Sequence, residues 1–85
     1  MSAKQEYHKA YVNVIVEHQL DGQRTPLQII FEDGRKFNID RVVERRRAAA
    51  TKVGGTGIRY KIVIGRQERY IYEDDGLWFV EAIGT

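Results

Sequence analysis

Cysteine is absent from this chain, serine and proline occur once each, and histidine occurs twice. Without cysteine there is no disulfide staple and no thiolate to bind a metal or attack a substrate. A cysteine-free chain fits a reducing compartment, so a cytoplasmic protein is expected. The lone serine, Ser2, stands in a polar N-terminus, and no threonine has a histidine near it in sequence, so no nucleophile and base come together. His8 and His18 lack the spacing of a metal-binding pair, and no carboxylate loop of a calcium site is present, so no metal site is expected. Paired carboxylates occur as Glu32-Asp33 and Glu73-Asp74-Asp75. Both sit at expected hairpin tips, where acids favour turns and solvate the surface. The glycine-rich stretch Gly54-Gly55-Thr56-Gly57 is not followed by the lysine of a phosphate loop and leads into a strand pattern rather than a helix. These absences argue against an enzyme, a cofactor and a small-molecule substrate. No apolar run approaches the ~20 residues a membrane helix needs. No apolar stretch follows Lys4, so no secretory signal is expected either.

What the chain does have is an uneven charge map. Residues 35–69 hold eleven of its fourteen basic residues against three acids, a local charge of +8, although the whole chain carries only +2. The first 34 residues sum to −2 and the last 16 to −4. A middle this basic suits a polyanion.

The apolar pattern is that of a small all-β domain. Residues 1–9 are polar and read as a flexible tail, with a single domain over 10–85. Tyr11-Val12-Asn13-Val14-Ile15-Val16-Glu17 alternates, with the three valines on one face. Pro26 opens a second strand, and Leu27-Gln28-Ile29-Ile30-Phe31 returns through Asp33-Gly34, the strongest hairpin signal in the chain. A three-residue loop Glu32-Asp33-Gly34 pairs Ile29 with Phe37 and Leu27 with Ile39. A two-residue loop would set apolar side chains against Asp40, Asn38 and Lys36, so the longer loop is expected. The third strand is expected to continue from Phe37 to about Arg45 with a bend near Arg41. A long loop or one short helical turn near residues 45–52 would lead on to Gly57. Ile58, Tyr60, Ile62 and Ile64 point inward on the next strand, with Arg59 and Lys61 outward. Arg69 to Glu73 and Leu77 to Ile83 complete six strands. The expected fold is a six-stranded antiparallel meander curled into a small SH3-like barrel, with a partly open OB-like barrel as the second choice.

Two sets of residues are candidates for binding. Arg45, Arg46, Arg47, Lys52, Arg59, Lys61, Arg66 and Arg69 would form a basic face for the phosphates of DNA or RNA. With a three-residue loop at Asp74-Asp75-Gly76, Tyr72 faces Trp78 and Tyr70 faces Val80. This would give Tyr70, Tyr72 and Trp78 one aromatic face for stacking bases or for a protein partner. The function expected is therefore a small binding module for nucleic acid. The alternative is a protein-interaction or self-association module that uses the aromatic face or an open strand edge.

The run from Pro26 through Asp33-Gly34-Arg35-Lys36-Phe37 to Val42, with Gly57-Ile58-Arg59-Tyr60 and Gly76-Leu77-Trp78-Phe79-Val80-Glu81, resembles a group of short uncharacterised bacterial proteins. The resemblance spans most of residues 10–83. It implies a compact β-rich domain and brings no activity or functional residue with it.

Overall fold

The alternating pattern becomes strands in the computed structural model, which describes residues 6–50 and 56–83. They are β1 (Tyr7–His18), β2 (Arg24–Ile30), β3 (Lys36–Asn38), β4 (Arg41–Ala49), β5 (Thr56–Ile64), β6 (Gln67–Asp74) and β7 (Leu77–Ile83), with no helix among the described residues. All the pairings are antiparallel, in one sheet of order β3-β2-β1-β7-β6-β5-β4. The valines of β1 do lie on one face: Val12 belongs to the main core, and the partly buried Val14 and Val16 pack against it. β1 begins earlier than expected. Tyr7, His8 and Lys9, assigned above to the tail, pair with Ile83, Ala82 and Glu81 of β7.

β1 serves two partners. Its first half, Tyr7 to Val12, pairs with β7, and its second half, Asn13 to His18, pairs with β2. The β2–β3 hairpin has the expected register, with Ile29 opposite Phe37 and the Ile39 amide donating to the Leu27 carbonyl. The Phe31 amide donates to the Arg35 carbonyl across the Glu32-Asp33-Gly34 loop. Gly34 supplies the positive φ of 91° that this loop needs.

Three expectations are corrected. There are seven strands rather than six, because the strand expected from Phe37 to Arg45 changes neighbours midway. Ile39 still bonds to β2, whereas the next amide, Asp40, donates to Val63 of β5. The segment near residues 45–52 is no helical turn as far as it is described. β4 runs straight through Arg45, Arg46 and Arg47 to Ala49, since a thin alanine stripe gives a helix too little to bury. Residues 51–55 lie outside the described residues.

The sheet is also not a closed barrel, SH3-like or OB-like. Its edges β3 and β4 follow one another in the chain, yet no ladder joins β4 to β2 or β3. Arg45 stands in the gap. Its Nη1 donates to Gln23 Oε1 at 3.0 Å and its Nη2 to the Arg24 carbonyl at 2.6 Å, so a side chain spans where a backbone ladder would have to form. The curled sheet encloses Val12, Ile29, Tyr60, Ile62, Ile71 and Trp78 on its inner face. A smaller cluster, Ala50, Tyr72 and Phe79, packs on the outer face.

Candidate nucleic-acid interface

β4, β5 and β6 place their outward side chains by cross-strand pairing. Arg46 stands opposite Arg59, which stands opposite Tyr72. Glu44 stands opposite Lys61, which stands opposite Tyr70. This outer face therefore unites three of the eight basic candidates, Arg46, Arg59 and Lys61, with two of the three aromatic ones. A bulge at Val43 sets the register. The pairing steps from Val42↔Ile62 to Glu44↔Lys61, which turns Arg46 outward and Arg45 and Arg47 inward.

The other candidates go elsewhere. Arg45 lies over the Tyr60 ring, 5.1 Å from its centroid, and ties β4 to β2. Arg47 faces the opposite end of the sheet, near Glu73 and Asp74. Arg66 is exposed in the β5–β6 turn, and Arg69 lies on the inner face, donating to the Gln67 side chain. Lys52 lies outside the described residues.

Trp78 is also displaced from the expected aromatic face. The β6–β7 loop has two residues, not three. Asp75 and Gly76 both take positive φ, 52° and 82°, the geometry whose twist matches a tight hairpin. Asp74 then pairs with Leu77, Glu73 with Trp78 and Tyr72 with Phe79. Trp78 turns inward against Tyr60, with ring centroids 5.0 Å apart. Tyr72 stacks on Phe79 at 5.1 Å and is buried, while Tyr70 remains 43% exposed.

The charges on the outer face are partly satisfied within the chain. Arg59 Nη2 lies 3.4 Å from Glu44 Oε1, and Arg46 Nε lies 4.0 Å from the same oxygen. Lys61 Nζ lies 3.6 Å from Glu68 Oε2. The Arg59 guanidinium also covers the Tyr70 ring at 4.5 Å. Two cations facing each other across a ladder repel, and Glu44 is the single carboxylate within 4.0 Å of both among the described residues. Tyr72 donates to Glu81 Oε1 at 3.0 Å. Burial, and then the Glu81 carboxylate, push its phenol up to about 12, against an opposing pull from Arg59.

Sequence reasoning missed two groups. Lys9 sits over the Phe79 ring at 4.8 Å and Tyr11 meets that ring edge-on at 6.0 Å, extending the outer face onto β1. Only the non-local β1–β7 pairing brings them there. Arg24 grips the buried Glu73, with Nη2 donating to Oε1 at 2.8 Å and Nη1 2.5 Å from Oε2. The last contact is close, but it lies off hydrogen-bonding direction and leaves Oε2 without a donor. Nothing in the sequence pairs residues so far apart.

Among the described residues no three histidines or carboxylates gather as metal ligands, and no helix is long and apolar enough to cross a membrane. No protein family, no curated protein and no solved structure matches the chain.

Proposed function

We propose that this protein is a small binding module that takes single-stranded nucleic acid on the outer face of β4, β5 and β6. Arg46, Arg59 and Lys61 meet phosphates, and the exposed ring of Tyr70, with Tyr11 beyond it, offers a stacking platform. The observation that carries this reading is the Arg46–Arg59 cross-strand pair. Its repulsion is only partly relieved by Glu44, and an anion bridging the two guanidiniums would relieve it further. Base stacking on an aromatic beside a cationic strip tolerates many sequences.

The test is fluorescence anisotropy with labelled single-stranded DNA and RNA across a salt series. Three phosphate contacts imply a log–log salt slope near −2, at about 0.7 per phosphate. Replacing Arg46→Glu and Lys61→Glu together should abolish binding while the domain stays folded, and Arg47→Glu on the other face should leave binding intact. Unchanged affinity in the folded double variant would overturn the reading.

A further inference from the structure

β6 and β7 are zipped only beside their turn. Their ladder consists of Asp74↔Leu77, Glu73↔Trp78 and Tyr72↔Phe79, yet β6 reaches back to Gln67 and β7 runs on to Ile83. Over that remaining length β6 stays paired with β5, from Tyr60↔Ile71 to Ile64↔Gln67, and β7 stays paired with β1, from Ala10↔Val80 to Tyr7↔Ile83. The sheet therefore forks. The fork opens into a cleft of about 540 Å³ lined by Ile29, Phe31, Phe37, Ile64, Ile71 and Val80.

Backbone alternation says what the fork presents. Tight two-residue turns flank β6 at Gly65-Arg66 and Asp75-Gly76. Residues flanking such a turn form a hydrogen-bonded pair, and bonding direction then alternates along the strand. Odd-numbered residues of β6 thus bond toward β5 and even-numbered ones toward β7. Tyr70 directs its N–H and C=O into the fork, beyond the last rung of the β6–β7 ladder. Two arginines stand at the same cleft, beside Glu68, which Lys61 holds at 3.6 Å, and Glu81, which accepts from Tyr72. Arg69 donates only to the neutral amide of Gln67 among the described residues. Arg35 lies over the Phe31 ring at 5.2 Å and shares its charge with Asp33.

We propose that this fork is a peptide-binding site, in which an extended segment of a protein partner adds to the edge of β6. Strand addition takes its affinity from main-chain hydrogen bonds and its selectivity from pockets for alternate side chains. The apolar lining takes the inward side chains, and an acidic residue of the peptide meets Arg69 and Arg35. The fork shares Tyr70 with the nucleic-acid face, using its backbone where that face uses its ring, and peptide binding is expected whether or not nucleic acid binds.

The test uses a short fluorescein-labelled peptide of alternating valine and threonine ending in two glutamates. We expect saturable binding without any oligonucleotide present, and slowed exchange of the Tyr70 amide in the complex. N-methylation of alternate peptide amides, which leaves the protein untouched, should abolish binding. Arg69→Glu should weaken it by about tenfold, the loss of one favourable charge contact worth ~1.4 kcal/mol. No saturable binding, or equal binding of the N-methylated peptide, would overturn the proposal. So would a concentration-dependent dimer that protects the Tyr70 amide without peptide, since the fork would then belong to a second copy.

Discussion

β6 has two edges that behave differently. On one side it pairs with β5 over seven residue pairs, and on the other it pairs with β7 over three before the strands part. The turns do not explain the contrast, because both loops are two residues long. Side chains do. Where β6 and β7 stay together, Tyr72 and Phe79 are buried on the outer face, and Trp78 packs on Tyr60 within. Where they part, β6 offers the exposed Tyr70 and Arg69. A ladder persists where both of its faces are covered and ends where the cover ends.

Removing that cover should produce the largest effect. Phe79→Ala empties the outer cluster and should cost about 3–5 kcal/mol, read from urea unfolding. Amide exchange should accelerate along Tyr72–Asp74 more than along β5, extending the fork toward the turn. Next, Gly57→Ala attacks the zipped edge. A Cβ there would lie 2.6 Å from the Glu73 carbonyl oxygen, a backbone atom that must move. A loss of about 1–3 kcal/mol is expected, with the β5–β6 amides the first to exchange.

How far this contrast was legible in the sequence depended on whether it was local. The β2–β3 register followed from pairing Ile29 with Phe37, because the alternative set apolar side chains against Lys36 and Asn38. The same reasoning failed at Asp75-Gly76. Both loop lengths leave apolar pairs facing each other there, so pattern alone could not choose, and the left-handed geometry of Asp75 decided. Among the binding candidates, Arg59 and Lys61 could be assigned to the outer face by strict alternation. The Val43 bulge, which no residue pattern announced, separated Arg46 from Arg45 and Arg47. Lys9 and Tyr11 reached the outer face only through a pairing that spans nearly the whole chain.

A smaller effect should come from Glu73→Gln, which leaves the shape of the zipped region intact and removes its charge. Arg24 is 43% exposed and water can take over part of its solvation, so a loss of about 1–2 kcal/mol is expected, less than for a fully enclosed pair. Thermal melts of this variant against Arg24→Gln and the double variant would give the coupling directly.

The mildest change is Tyr72→Phe, which keeps the stack on Phe79 and loses the hydrogen bond to Glu81, about 1 kcal/mol at neutral pH. Its signature lies in alkali. Tyr72 ionises at about 12 when folded and near 10 when unfolded. The stability that comes from keeping the phenol neutral is whole below pH 10 and is lost as pH rises toward 12. The variant should show a shallower loss across that window in urea titrations at successive pH values.

The two halves of β1 have a consequence for how the chain is threaded. Every ladder except β1–β7 joins strands adjacent in sequence. If Ile83 were linked to Tyr7 and the chain opened between Ile39 and Asp40, the strands would run β4-β5-β6-β7-β1-β2-β3, an uninterrupted zigzag across the whole sheet. The natural order is that zigzag cut open at β1–β7, which leaves one long-range closure to pay its loop entropy before its contacts form. Folding speed should therefore hinge on that single seam, and the permuted thread, with only neighbouring strands to join, should fold faster to the same sheet.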